Sequence, residues 1–83
     1  MSKIYKVLCI GETTVLFSYV TPVIVHTSGS APKITEKKYS ATTTKHINKF
    51  LRENDFSKDR CNFVSQEEIN FLTDKELVKK LSA

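Results

Sequence analysis

Tyr39-Ser40-Ala41-Thr42-Thr43-Thr44-Lys45-His46-Ile47-Asn48-Lys49-Phe50-Leu51 decides how this chain is read. It reads as a strand running straight into the capped start of a basic helix. Three consecutive threonines offer hydroxyls that can cap free backbone N–H groups. Ile47, Phe50 and Leu51 stand at i, i+3 and i+4, which predicts a helix from Thr43 to about Asn54 with those three residues as its buried stripe. Lys45, Lys49 and Arg52 then fall mainly on the side facing water.

Working back from this junction, residues 33–40 are polar apart from Ile34 and Tyr39, the pattern of an edge strand whose lysines discourage unwanted pairing. Such an edge would permit a dimer, although its lysines argue for a monomer. Residues 3–10 are rich in β-formers and stop at Gly11-Glu12, a plausible hairpin turn. A second strand starts at Thr13, with Val15, Phe17 and Tyr19 on one face and Leu16, Ser18 and Val20 on the other. The first of these faces is large and apolar, which places the strand centrally against the core. Pro22 interrupts the run, so Val23-Ile24-Val25-His26 is either a separate strand or a continuation past a bulge. Thr27 to Pro32 is a loop on composition.

Working forward, residues 54–62 are charged and loop-like, with Phe56 and Phe63 as anchors to the core. Ser65-Gln66-Glu67-Glu68 then reads as a capping box, with Val64 and Ile69 as its apolar staple. Thr73-Asp74-Lys75-Glu76 repeats the arrangement. The tail is therefore two short helices or one bent helix, a hook that packs on the sheet or presents Phe71, Leu72, Val78 and Leu81 to a partner. The fold expected is α+β: one domain over residues 1–83, with an antiparallel sheet of three to four strands in 3–40. One main helix in 43–54 packs on it, and a short helical hook occupies 65–82.

At 83 residues the chain has room for one small core, and a deep substrate cleft would consume much of it. An apolar fraction of 40% against 27% charged residues argues for a folded chain rather than a disordered one. The net charge of +4 is unevenly spread. Residues 32–60 carry eight basic side chains against four acidic ones, so the excess lies around the helix junction. That density suits phosphate contacts or an acidic partner, and equally a solvated face.

Cys9, within an apolar run, reads as a small buried hydrophobe, and Cys61 as a thiol in a polar loop. Whether the two pair is open, and reduced thiols in a cytoplasmic protein are the simpler expectation. Neither metal nor cofactor is expected, since no Cys/His spacing suits zinc. No GxxxxGK[ST] loop is present, so a P-loop is excluded at motif level. His46 is the most tempting catalytic residue, but no nucleophile and acid accompany it at a telling spacing, and no catalytic residue is expected. The candidate site is an anion or nucleic-acid surface formed by Lys37, Lys38, Thr43, Thr44, Lys45, His46, Lys49 and Arg52. In it, backbone N–H groups and threonine hydroxyls would hold a phosphate. A host or defence protein is the alternative partner; a membrane is not expected.

The segments Ser18-Tyr19-Val20-Thr21-Pro22-Val23 and Tyr39 to Phe50 resemble an uncharacterised family of small proteins encoded by bacteriophages and bacterial mobile elements. There an S-Y-x-T-P-V strand is followed by a Y-S-x-T-T-x-K-H-I-N-x-F strand-to-helix junction. The resemblance spans roughly residues 13–51. It implies a phage or prophage origin, the cytoplasm of a bacterial host as the setting, and a strand-rich fold closed by a helix. It carries no activity, and it shifts the expectation toward accessory and anti-host proteins that act by covering a surface.

Overall fold

Gly11, at φ +58°, turns the chain where a side chain would strain it, and the Gly11-Glu12 pair joins β1 (Tyr5–Ile10) to β2 (Thr13–Ser18) as a two-residue hairpin. A second two-residue turn at Tyr19-Val20 leads into β3 (Thr21–Thr27). Tyr19 thus belongs to a turn, where φ is +60°, and not to the second strand as its alternation suggested. A computed structural model describes residues 4–82, apart from the side chains of residues 80 and 82. Lys3, the expected start of the first strand, lies outside the described residues.

Pro22 stands opposite Phe17 while Ile24 stands opposite Leu16, so Val23 is the extra residue of a bulge. β3 is accordingly a separate strand that also carries the irregularity proline demands. After the loop, β4 (Lys33–Thr35) pairs antiparallel with β3 and parallel with β5 (Asn62–Val64). Between β4 and β5 run α1 (Ala41–Glu53) and a short 3-10 turn at Lys58–Arg60; α2 (Gln66–Ser82) follows.

The five strands lie in the order β1-β2-β3-β4-β5, a mixed sheet rather than the smaller antiparallel one expected. β4 is internal and only three residues long, so residues 36–40 form a strap and not an edge strand. The open edge expected along Lys33 to Tyr39 is therefore absent at Lys33 to Thr35, where β5 already pairs with β4. Asn62 to Val64, read as loop and anchor, is the edge itself.

Two buried clusters explain the architecture. On one face Leu16, Val23, Ile24 and Ile34 meet Phe50 and Leu51 of α1; on the other Val15 and Val25 meet Ile69 of α2. α1 begins two residues earlier than Thr43, because Ser40 is its cap: the Ser40 hydroxyl accepts from the Thr43 N–H at 3.3 Å. It ends as expected, with Asn54 capping and Asp55 in the left-handed conformation at φ +62°.

α2 is one continuous helix, not a short hook. Its first cap forms as read, Ser65 accepting from the Glu68 N–H at 3.2 Å, and Val64 and Ile69 meet in the buried cluster. The second box does not open a new helix. Thr73 is buried, and its hydroxyl donates to the Ile69 carbonyl at 2.8 Å within the helix. Ile69 and Leu72 turn toward the sheet, while Phe71, Val78 and Leu81 remain exposed.

Ile69 is fully buried and is the residue of α2 that closes its cluster. Ile69→Ala is expected to destabilise the fold by about 2–5 kcal/mol, read as a lower urea midpoint with unchanged m-value. Phe71→Ala, on the exposed side of the same helix, is expected to change stability by less than about 0.5 kcal/mol.

Candidate functional site

The strap between β4 and α1 is held at three points. The Glu36 N–H donates to the Val64 carbonyl at 2.7 Å, the Lys37 N–H donates to the Thr35 hydroxyl at 3.2 Å, and the Tyr39 hydroxyl donates to Gln66 Oε1 at 2.8 Å. Those bonds carry Lys37 and Lys38 past the end of β5 and leave a groove between the strap, the first two turns of α1 and the edge strand. Its volume is about 400 Å³. Ile34, Ile47 and Phe63 give it apolar walls; Lys37, Lys38 and Lys58 give it positive charge, with Glu36 as the one acid. The Lys37 ammonium stands 5.3 Å from the centroid of Tyr39.

Of the residues singled out in the sequence, Lys37, Lys38, Thr43 and Thr44 line this groove. The others diverge. Lys45 and Arg52 are both exposed and, seven residues apart at about 100° per residue, share one side of α1. Lys49 points to the β1 side, its ammonium 4.5 Å from the centroid of Tyr5, whose hydroxyl donates to Glu53 at 3.3 Å. Lys58 and Phe63 join the groove without having been named for it. Lys58 was visible only as one charge of the basic block, and Phe63, expected as a buried anchor, is 53% exposed. The companion anchor Phe56 does pack, against Phe50 and His26.

The helix corner itself is occupied by the protein's own hydroxyls. Thr44 donates its hydroxyl to the Ser40 carbonyl at 3.3 Å. Thr43 is buried, its Oγ1 3.0 Å from Ser18 Oγ, and Ser18 Oγ is 2.7 Å from His46 Nδ1. Ser40 donates to Thr43 at 3.5 Å. One arrangement gives every hydroxyl proton an acceptor: Ser40 to Thr43, Thr43 to Ser18, Ser18 to the imidazole, which then carries its proton on Nε2. His46 is 7% exposed, with Tyr5 edge-on at 5.5 Å and Tyr19 tilted at 5.9 Å. Its side chain is thus tied to a strand hydroxyl.

The two segments Ser18–Val23 and Tyr39–His46 thus converge. Ser18, Tyr19, Thr21, Val23, Tyr39, Ser40 and Thr43 line a second cavity of about 370 Å³ over this network. A serine hydroxyl bonded to an imidazole is the front half of an activated nucleophile, but Ser18 is 2% exposed and its oxygen is already shared with Thr43. The network acts as a clasp joining β2 to α1. A third cavity of about 500 Å³, between the β1–β2 turn and Glu76 and Lys79, lies away from all of these residues.

Among the described residues no group of three or more His, Cys, Asp or Glu side chains could hold a metal ion. No helix of the described residues is long and apolar enough to cross a membrane. Both cysteines are free: Cys9 is exposed, not buried as its apolar run suggested, and Cys61 is half-buried, its thiol donating to the Ser57 carbonyl at 3.3 Å. Burial pushes the Cys61 thiol above its usual range. Tyr5 also holds its proton more tightly than a solvated phenol, first because burial penalises the phenolate, then because Glu53 repels it and accepts its hydrogen bond.

The chain belongs to DUF8033, a family of unknown function, whose model matches residues 2–70. That span takes in the sheet, α1, the groove, the clasp and the start of α2. No curated protein and no solved structure matches the chain.

Ser18→Ala would strand the buried Thr43 hydroxyl and His46 Nδ1 together, and is expected to cost about 1–3 kcal/mol by urea denaturation. Tyr5 gives a pH dependence with a definite sign. Its pKa is higher in the folded than in the unfolded chain, so its contribution is complete below about pH 10, where a free tyrosine titrates, and is lost as pH rises through the folded value. Glu53→Gln is expected to reduce that alkaline loss, measured as the slope of unfolding midpoint against pH above 10.

Proposed function

We propose that this protein is a non-enzymatic, phage-type accessory protein that binds an anionic surface, nucleic acid foremost, in the cytoplasm of a bacterial host. The observation that carries the reading is the groove beside β5. Lys37, Lys38 and Lys58 surround it, none of them in an ion pair among the described residues, with Tyr39 and Phe63 exposed beside them. Basic side chains around exposed aromatics are what nucleic acid requires: cations for phosphate and flat apolar faces for bases. The groove sits on the block that holds the chain's positive excess. The phage origin rests on the resemblance carried by Ser18–Val23 and Tyr39–Phe50. Catalysis has no part in the reading, because the Ser18–His46 pair is buried and committed to the clasp.

The contact set differs from the one expected from sequence. Lys37, Lys38 and Lys58 supply the phosphate contacts, with Thr44 at the rim. Lys45 and Arg52 add only long-range attraction from the outer ridge, and Lys49 is engaged over Tyr5. A second reading, a protein-binding inhibitor of a host or defence factor, is favoured by the outer side of α2. There Phe71 and Val78, seven residues apart, share one exposed stripe, 66% and 60% accessible.

The test is fluorescence anisotropy with labelled single-stranded and duplex oligonucleotides over stepped salt. Binding is expected to weaken with a log–log slope of about −2 on single strands, three phosphates at roughly 0.7 each. Lys37→Glu with Lys38→Glu and Lys58→Glu should abolish it, whereas Lys45→Glu with Arg52→Glu should reduce it only modestly. Absence of binding to either nucleic acid at low salt would overturn the reading. Capture of a single bacterial protein that survives the triple variant and is lost in Phe71→Asp with Val78→Asp would establish the second.

A further inference from the structure

A cluster of lysines on an open surface would serve a phosphate backbone alone; the groove beside β5 has more to it. In the β4–β5 register Ile34 stands beside Phe63, so Phe63 faces the α1 side of the sheet while Asn62 and Val64 face the other. α1 packs over Leu16, Ile24 and Ile34 and stops short of the edge strand, which leaves the Phe63 ring half uncovered above Ile34 and Ile47. Tyr39 is the other aromatic of the groove, but its hydroxyl is tied to Gln66 and the Lys37 ammonium stands near its ring. Phe63 is thus the aromatic face open to an incoming flat group.

The cavity of about 400 Å³ is near the small end of the usual range for ligand sites, roughly 300–1,000 Å³. It has room for one base and its sugar. A duplex keeps its bases stacked inside and would offer this groove only phosphates. With two apolar isoleucines as floor, one exposed ring as wall and three lysines at the rim, the geometry points to a site for a single unstacked nucleobase with its adjoining phosphate. The base stacks on Phe63 over Ile34 and Ile47, and Lys38 and Lys58 meet the phosphate. Thr43 takes no part, since its hydroxyl belongs to the clasp. This site rests on the anion-binding reading of the same groove and names its ligand as a base from either a single strand or a free nucleotide.

The experiment uses the full chain and four probes: a thymidine single strand, the same sequence as a duplex, a single strand with abasic sites throughout, and thymidine monophosphate. The intact single strand is expected to bind about tenfold or more tighter than the duplex and the abasic strand. Phe63→Ala should lower its affinity by about 5- to 150-fold, the range for losing one stacked base, and bring it to the abasic level. Phe63→Trp should restore it. Phe63 is half exposed, so an unchanged urea midpoint is expected for both variants and confirms that the fold is intact. Phe63-dependent binding of the monophosphate would support the site with a free nucleotide as its source, and Phe63-dependent binding confined to the strand would support it with single-stranded nucleic acid. Equal, salt-sensitive binding of the intact strand, the abasic strand and the duplex, unmoved by Phe63→Ala, would overturn the base site and leave the anion-binding reading standing. No binding of any probe at low salt would overturn both.

Discussion

The structure depends on burying β2 and β3 from both sides. Val15 and Leu16 point to opposite faces and both are fully buried; on the neighbouring strand Ile24 joins the Leu16 face and Val25 the Val15 face. A sheet with apolar residues on both faces cannot leave either to water, so this chain needs a helix on each side. α1 meets that need on the Leu16 face, α2 on the Val15 face. Each fully buried aliphatic side chain contributes about 1.5–3 kcal/mol relative to exposure, and in a chain this short few such residues can be spared. The length of α2 follows, because a short hook would leave part of the Val15 and Val25 face open.

What could be read from the residues was what short-range chemistry dictates. The Gly11-Glu12 turn, the Ile47/Phe50/Leu51 stripe, the Ser65 cap and the Val64–Ile69 staple each depend on neighbours within a few positions. All took the form their spacing indicated. The large apolar face of β2 was also visible, and it pointed correctly to a strand with neighbours on both sides. What it did not reveal was the consequence, that the second face required a full helix. Thr73 shows how a local signal is overridden: its spacing from Glu76 makes a capping box, but burying Leu72 and Thr73 against the sheet keeps the helix going through it.

The rest depended on distant partners. Three residues, Asn62 to Val64, have no periodicity to recognise, and they form a strand because Pro32 and the β4 backbone offer hydrogen bonds to them. Missing that strand misplaced the edge of the sheet and with it one side of the groove. Tyr19 in a left-handed turn is a conformation its residue type resists, so propensity argued for the strand instead. The positive block around the helix junction was legible as composition, but its direction was not. Seven residues from Lys45 to Arg52 return to one ridge of α1, while the strap, pinned by Tyr39 and Glu36, carries Lys37 and Lys38 to another side.

The parallel pairing of β4 with β5 sets how the molecule assembles and comes apart. The β1–β2–β3 meander closes through two-residue turns and is local in sequence, whereas β5 reaches β4 only after the whole of α1 has been spanned. Loop-closure entropy makes that the late event, and a three-residue strand with one neighbour is the first to fray, so its amides exchange with solvent ahead of those in the meander. Phe63 rides on that strand. Occupancy of the groove and docking of the strand are therefore thermodynamically linked: whatever seats against the ring also holds the last rung of the ladder in register, and slow exchange at Asn62 to Val64 would be its signature.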